Sequence, residues 1–517
     1  MIRIARNAVA AKLLDAPESA RAEAHRLLSY NVAGAEHMAA FQGGGWNGKS
    51  SFFSYDAGTF PAGFVHLVTA GLRKAGYEVQ LVSKPLPEPL GPLNPVVDSF
   101  GNDPRYDYQL IAVDKLLRHG QVIIQVATGG GKSRIARLAM VRINRRTLFL
   151  TTRSVLMHQM RRQLEKLTGE PVAVLGDGDW GIPYTKPDGT KGRKLSQFAV
   201  GMVQTLDKRI QGADPTASDA KREQQVRQRD AAIAVLERFE FVIAEEAHEV
   251  SSDQFWNVMK ACKNAAYRMA LTATPFMKED EEANMRLLGS CGPVAMQISE
   301  RELIEKGILA RPYFKFIRLR PDQRPKKLFR STPYQRAVEL GIVENEYRNR
   351  AICAEVLRGI RYGLNSMVLV QRKEHGRILE EMLTRAGARV EFIFGESDQA
   401  ERDRVLDMLG KGEIDCAIGS TIMDVGVDVP SLGMIVLAGG GKAEVAMRQR
   451  IGRGLREKKG GLPNVAFIID VDDDFNTHLK GHAQARQAIV KSTPGFAEGV
   501  VANDFNFEAL GLTRKAA

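Results

Sequence analysis

The chain has 517 residues, 44% of them hydrophobic, four cysteines and a formal net charge of +12. That length exceeds one compact core and implies several domains of roughly 100–200 residues each. No apolar run approaches the ~18–20 residues of a membrane span; the N-terminus lacks a secretory apolar core, and Asp15 and Glu18 argue against a transit peptide, so a cytoplasmic protein with no membrane partner is expected.

Residues 1–95 read as a small α+β domain ending in a proline-rich linker. Gly43–Ser50 (GGGWNGKS) satisfies the full G-x-x-x-x-G-K-S phosphate-loop pattern. A phosphate loop must leave a buried strand and open a helix, and here the β-like SSFFSYDAGTF follows, so no nucleotide is expected at Lys49. Asn47-Gly48 is instead a hairpin-turn signal, which puts Trp46 and Lys49 at a tip where an indole could stack on a base and an ammonium meet a phosphate. Pro61 suits a helix's first turn and Gly76 its end. From Pro85 to Pro95 the prolines exclude helix and central strand, which reads as a stiff linker.

Residues 96–310 form a first α/β lobe, in which QVIIQVA, RTLFLTT, FAVGMVQ, FEFVIAE and RMALTAT alternate with amphipathic stretches. Strands spaced by helices mean a parallel sheet. Val126–Ser133 (VATGGGKS) lacks the first glycine of the pattern but has its context, a buried strand before and an amphipathic helix after. Thr128, Gly129, Gly130 and Gly131 would cradle phosphates, Lys132 would neutralise their charge and the Ser133 hydroxyl would ligate Mg²⁺. Two inserts, Asp179–Lys194 with the turn Pro187-Asp188-Gly189-Thr190 and the charged run Ala217–Arg238, read as solvated surface. Glu245 and Glu246, at the end of an apolar run, can hold Mg²⁺ and orient a water, and Thr272 and Thr274 bring hydroxyls beside them.

Residues 311–345, basic and carrying three prolines in Arg311–Arg330, read as an interlobe connection. Residues 346–491 repeat the alternation (SMVLVQ, VEFIF, DCAIGS, MIVLAG, NVAFIID) as a second lobe, and residues 492–517 form a tail with little pattern. In the second lobe Gln449, Arg453 and Arg456 fall on one helix face, as arginine fingers require. Ser420, Thr421, Gly426 and Asp428 belong to a polar turn before it. Cys262, Cys291, Cys353 and Cys416 form no CxxC pair, so neither a disulfide framework nor a zinc site is expected.

These motifs, in this order from Arg105 to Ile489, resemble the superfamily 2 helicases: ATGGGKS, FLTTRSVLMHQM, VQTL, EEAH, TAT, STIMDVGVDVP and QRIGRGLR. Within the superfamily they are similar to the phage UvsW-type and XPB-like DNA helicases, and Trp46-Asn47-Gly48-Lys49 with Phe60-Pro61-Ala62-Gly63 resembles the small domain before the UvsW motor. The resemblance implies two tandem RecA-like lobes that use ATP and Mg²⁺. It also implies Gln109 at the adenine, Gly426 and Asp428 at ATP, His248 with Thr272 and Thr274 in coupling, and Thr152, Arg153, Gln204, Thr205, Ser420 and Thr421 on the nucleic-acid backbone. Where the family usually carries aspartate this chain has Glu245, whose extra methylene makes the metal or its water shift, or the strand end retract.

The expected activity is ATP-driven unwinding or translocation on branched DNA, at single-strand/duplex junctions, in recombination, repair or replication; the positive charge fits a polyanionic partner. The alternatives are an RNA helicase, a restriction-type translocase subunit, and an ATP-gated clamp with little turnover. In the leading reading the domain before the proline linker is the junction reader.

Overall fold

The computed structural model describes residues 1–514, apart from 102, 213–215, 217, 247–252, 277–279, 395–396, 398, 420–431, 442–454, 456, 459–462 and 503. Two compact units result, Met1–Val126 with Gly131–Gln297 and Ala127–Gly130 with Ile298–Ala517.

The first unit begins with strands β1 (Ile2–Arg6), β2 (Ala10–Leu14), β3 (Ser29–Asn31), β4 (Lys49–Ser51), β5 (Thr59–Pro61) and β6 (Val79–Ser83). Four of them form a sheet in the order β5-β2-β1-β6, with β1 and β6 parallel. Helices α1 (Glu18–Leu27), α2 (Ala39–Gln42) and α3 (Val65–Lys74) accompany them. Ile4, Leu13, Ala24, Phe64, Val68 and Leu72 make the core. Asn47-Gly48 does form a turn, since Gly48 has φ 76° and Asn47 Oδ1 accepts the Lys49 amide at 3.1 Å. It does not form the tip of a two-residue hairpin, because the strand it opens, β4, pairs with β3 across the long segment 32–48.

The proline-rich segment is a strap rather than a free spacer. Leu90 and Gly91 donate to the carbonyls of Ile143 and Arg142 at 2.9 and 3.1 Å, Arg145 Nε donates to the Glu88 carbonyl at 2.8 Å, and Tyr267 Oη donates to that of Pro87 at 2.7 Å. Phe52 meets Trp256 edge-on at 5.4 Å, and Asn31 grips the Glu281 carboxylate through its amide and side chain at 2.7 and 3.0 Å. The small domain is therefore packed onto the first lobe.

That lobe contains β7 (Gln121–Val126), β8 (Thr147–Thr151), β9 (Ala173–Gly176), β10 (Asp179–Trp180), β11 (Ile182–Thr185), β12 (Lys191–Lys194), β13 (Phe198–Met202), β14 (Phe241–Glu245), β15 (Tyr267–Thr272) and β16 (Val294–Ile298). Eight of these form one sheet, ordered β10-β9-β13-β8-β14-β15-β7-β16. β9, β13, β8, β14, β15 and β7 run parallel. The central strands are buried along almost their whole length, as a sheet covered on both faces demands. Helices α4 (Asp107–His119), α5 (Lys132–Ile143), α6 (Ser154–Thr168), α7 (Val203–Ile210) and α8 (Asp219–Leu236) belong to it. The first insert is the β11–β12 ribbon, turned by Gly189 at φ 81° with Asp188 Oδ1 accepting the Thr190 amide at 2.9 Å; the second is α8.

The second unit carries a six-stranded parallel sheet, β17 (Arg311–Ile317), β18 (Ser366–Leu369), β19 (Val390–Ile393), β20 (Cys416–Gly419), β21 (Met434–Leu437) and β22 (Val465–Val471), in the order β17-β22-β21-β18-β20-β19. The stretch expected as an interlobe connection, 311–345, is thus corrected. Its start is the outermost strand β17, whose Arg311 amide bonds the Asn464 carbonyl, so that Pro312 on the alternate side costs no bond to β22, and Leu328, Ala337, Val338 and Leu340 make a core with Leu479. The tail is structural too. Phe505 and Phe507 pack against Phe467 at 4.9 and 4.7 Å, and Asp504 pairs with Lys315 at 2.8 Å.

All four cysteines are buried in the two lobes, and burial pushes the Cys262 and Cys291 thiols up to about 12. Among the described residues no helix is long and apolar enough to cross a membrane.

Candidate active site

β7 ends at Val126, and α5 starts at Lys132, directly after the glycines. Gly129 and Gly131 sit at φ 89° and 81°, backbone that only glycine adopts cheaply. The Gly130 amide closes the turn onto the Ala127 carbonyl at 3.0 Å. The α5 ladder begins with Arg134 and Ile135 donating to the Gly131 carbonyl, so the amides of Lys132 and Ser133 precede the ladder's first donors, the arrangement that suits an anion. At the other pattern match, Lys49 opens a strand, and no helix follows it.

The Ser133 hydroxyl donates to Glu245 Oε1 at 3.1 Å, joining the start of α5 to the end of β14. Glu245 is buried, and Glu246 after it has φ 52°, a left-handed conformation that costs a non-glycine residue about 1–3 kcal/mol and marks the strand end as over-determined by its surroundings. The neighbouring strand β15 ends in fully buried Thr272, whose Oγ1 accepts the Thr274 amide at 3.1 Å. Thr274 Oγ1 is itself a buried atom without a hydrogen-bond partner. Gln125 Nε2 on β7 donates to the Ala273 carbonyl at 3.2 Å, tying β7 to this turn. Ser133, Glu245, Glu246, Thr272 and Thr274 therefore gather at the C-terminal ends of adjacent parallel strands, where open α/β sheets bind ligands. A hydroxyl and a carboxylate converging at hydrogen-bond distance fit a hard divalent cation, which takes oxygen ligands.

Gln109 on α4 is fully buried against this loop. A Cβ added at Gly131 would lie closer than 3.0 Å to its Nε2. Its Oε1 accepts from Arg134 Nη1, and Nε2 donates to the Tyr108 hydroxyl at 3.3 Å. Arg134 is anchored in turn by Asp98, at 2.9 Å, and by the Gly101 carbonyl at 3.1 Å. No sequence motif singles out Arg134 or Asp98; the only local hint is that Arg134 follows Ser133 directly.

Further along the same strand ends, Thr152 and Arg153 lie between β8 and α6, with Gln204 and Thr205 in the first turn of α7. The Gln204 side-chain amide donates to the Thr152 carbonyl at 3.1 Å, so these residues meet at the C-terminal ends of the neighbouring strands β8 and β13. Trp46 and Lys49 lie elsewhere. Trp46 is half-buried and its indole N–H is taken by the Lys49 carbonyl at 2.6 Å, while the Lys49 side chain is exposed. Phe52 and Phe53 belong to the small domain's packing. His248, Ser420, Thr421, Gly426, Asp428, Gln449, Arg453 and Arg456 lie outside the described residues.

Two family models match the chain, that of the type III restriction enzyme res subunit over residues 103–277 and the helicase conserved C-terminal domain over 348–458. The chain is a superfamily 2 helicase, of the UvsW/XPB-like kind. This helicase is 23% identical to the ATP-dependent DNA helicase uvsW of Enterobacteria phage T4 over 90% of its own length and 89% of that protein. It is also 23% identical to the DNA 3'-5' translocase XPB2 of Sulfurisphaera tokodaii, over 68% and 78%. The chain spans 61% to 89% of the length of the first relatives it matches. Among solved structures, the DUF1998 helicase MrfA bound to DNA and AMPPNP superposes with a TM-score of 0.53 at 14% identity, covering 75% of this chain and 50% of that one, a likeness of fold.

Proposed function

We propose that this helicase is an ATP-dependent DNA motor acting on branched DNA in recombination, repair or replication. The observation that carries the reading is the convergence of the glycine loop, the Ser133–Glu245 pair and Glu246 at the ends of β7 and β14. In it, Lys132 and the loop amides hold the β- and γ-phosphates, and Ser133 and Glu245 hold Mg²⁺. The ion, when bound, neutralises charge developing on the phosphates. Glu246 orients the attacking water, and its fixed left-handed backbone presets that direction. Gln109, held by Arg134, sets the loop and contacts the adenine. Arg453 and Arg456, with Gln449, stabilise the transition-state charge, and Gly426 and Asp428 complete the nucleotide contacts.

Thr152, Arg153, Gln204 and Thr205, beyond the C-terminal ends of β8 and β13, bind a strand's backbone, with Ser420 and Thr421 doing the same in the second lobe. His248, Thr272 and Thr274 couple the nucleotide to that strand. Exposed Lys49 and the open part of Trp46 serve duplex contact in the small domain. The test is strand displacement from a forked duplex, a linear duplex and a forked RNA in parallel, with and without ATP. Displacement from forked DNA that needs ATP is expected. ATP-dependent binding to the fork without displacement, translocation or turnover would replace the motor with a clamp.

A further inference from the structure

A cavity of about 410 Å³ lies between the small domain and the first lobe, at the start of β7, the end of that strand opposite the phosphate loop. The size falls within the roughly 300–1,000 Å³ of small-molecule sites. Arg6 at the end of β1, the C-terminal turn of α4 and Gln121 line one side. The other side is a stripe of α3, where His66, Thr69, Ala70 and Arg73 recur at helical spacing.

Two features mark the cavity as built for a ligand. Its rim is cationic, since Arg6, Arg73 and Arg118 line it together with no acidic residue. None of these three has an ion pair among the described residues. Burial lowers the Arg6 guanidinium, and His119 is held below its ordinary value by burial and then by Lys115, Arg118 and Arg6.

The floor is the second feature. Thr69 and Gln121 are 8% and 6% exposed, and Thr69 Oγ1 and Gln121 Oε1 are buried atoms without a hydrogen-bond partner. Gln121 Nε2 donates to the Ala8 carbonyl at 2.8 Å, which fixes the amide. Buried polar atoms are rarely left unsatisfied, and both of these belong to residues that line the one cationic cavity.

A ligand must then bring negative charge to the rim, and to the floor an acceptor for the threonine hydroxyl and a donor for the glutamine oxygen. We propose that the cavity binds a nucleotide unit, its phosphate on Arg6, Arg73 and Arg118 and a hydroxyl or amino group of its sugar or base on Thr69 and Gln121. The exposed side chains of Arg73 and Arg118 leave the mouth open, so the unit can belong to a DNA strand or to a free nucleotide.

The experiment uses the full chain carrying Lys132→Ala, so that the phosphate loop contributes neither to binding nor to the readout. Against that background we compare Arg6→Gln/Arg73→Gln/Arg118→Gln and, as a variant that keeps the charges, Thr69→Val. Labelled oligothymidylate is titrated across a salt series by fluorescence anisotropy, and thymidine monophosphate is tested by thermal shift. If a strand is the source, the slope of log K against log salt falls by about 0.7 for each phosphate seated in the cavity, in the arginine variant. If a free nucleotide is the source, thymidine monophosphate raises the melting temperature of the parent and not of the variant, with the DNA slope unchanged. Thr69→Val weakens whichever ligand binds by about 2–10-fold, the loss of one hydrogen bond. It also decides the matter if the arginine variant does not fold. Parent-like binding of both probes by folded variants overturns the proposal.

Discussion

Gly131→Ala probes the loop where its backbone and its neighbour are both constrained. At φ 81° and ψ 36° the residue is left-handed, which costs a side-chain-bearing residue about 1–2 kcal/mol. The new Cβ would also lie closer than 3.0 Å to Gln109 Nε2, and Gln109 cannot step aside freely, being fully buried with its Oε1 held by Arg134. Displacing that amide from its partner adds about 1–2 kcal/mol. Since the strain falls on the conformation that binds phosphate, ATP affinity should drop by about 2–4 kcal/mol, or roughly 30–700-fold. Equilibrium titration of a fluorescent ATP analogue measures it, with the melting transition recorded alongside. Gln109→Ala in the same chain should return the steric part and leave the backbone part, a positive coupling in a double-mutant cycle. ATP affinity within threefold of wild type for Gly131→Ala would show that neither the backbone at Gly131 nor the buried Gln109 constrains the loop.

Other expectations follow from the same geometry. Glu246→Gln should bind ATP with Mg²⁺ and hydrolyse it at least about 100-fold more slowly, read by single-turnover quench, because the water loses its acceptor. Glu245→Asp should keep turnover with an altered Mg²⁺ half-point, since the shorter carboxylate leaves the reach of the Ser133 hydroxyl; loss of all activity in a folded protein would contradict this. Arg453→Ala and Arg456→Ala should lower kcat far more than ATP affinity, and an equal loss of affinity with full kcat would place them in ground-state binding. Phe52→Ala removes the half-buried ring against Trp256 and should destabilise the small domain and the first lobe together, by less than the ~3–5 kcal/mol of a fully buried phenylalanine, seen as one shifted calorimetric transition rather than two.

What the sequence disclosed was whatever is local. Each apolar run read as a strand, from QVIIQVA to NVAFIID, became one, because buried parallel strands need unbroken apolar residues on both faces. The phosphate-loop choice depended only on what adjoins each pattern, a strand and helix at Lys132 against a strand at Lys49. Contacts between distant segments were not legible. The strap over Ile143 and Tyr267 read as a spacer because prolines carry no sign of what their carbonyls accept. β17 read as a hinge because Pro312 and its basic neighbours hide an edge strand whose partner is more than a hundred residues away. Phe505 and Phe507 gain meaning only beside Phe467, and the Asp98–Arg134–Gln109 chain only once α4 and α5 are packed.

The proposed motor depends first on nucleotide chemistry belonging to the loop at Lys132 and not to the fuller pattern at Lys49. The direct measurement is ATP binding and forked-DNA-stimulated hydrolysis by Lys132→Ala and Lys49→Ala, each checked for an unchanged melting transition. Lys132→Ala should abolish hydrolysis with and without DNA, while Lys49→Ala should bind ATP as tightly as wild type and keep its unstimulated rate. Loss of ATP binding on Lys49→Ala, with Lys132→Ala still hydrolysing, would contradict it.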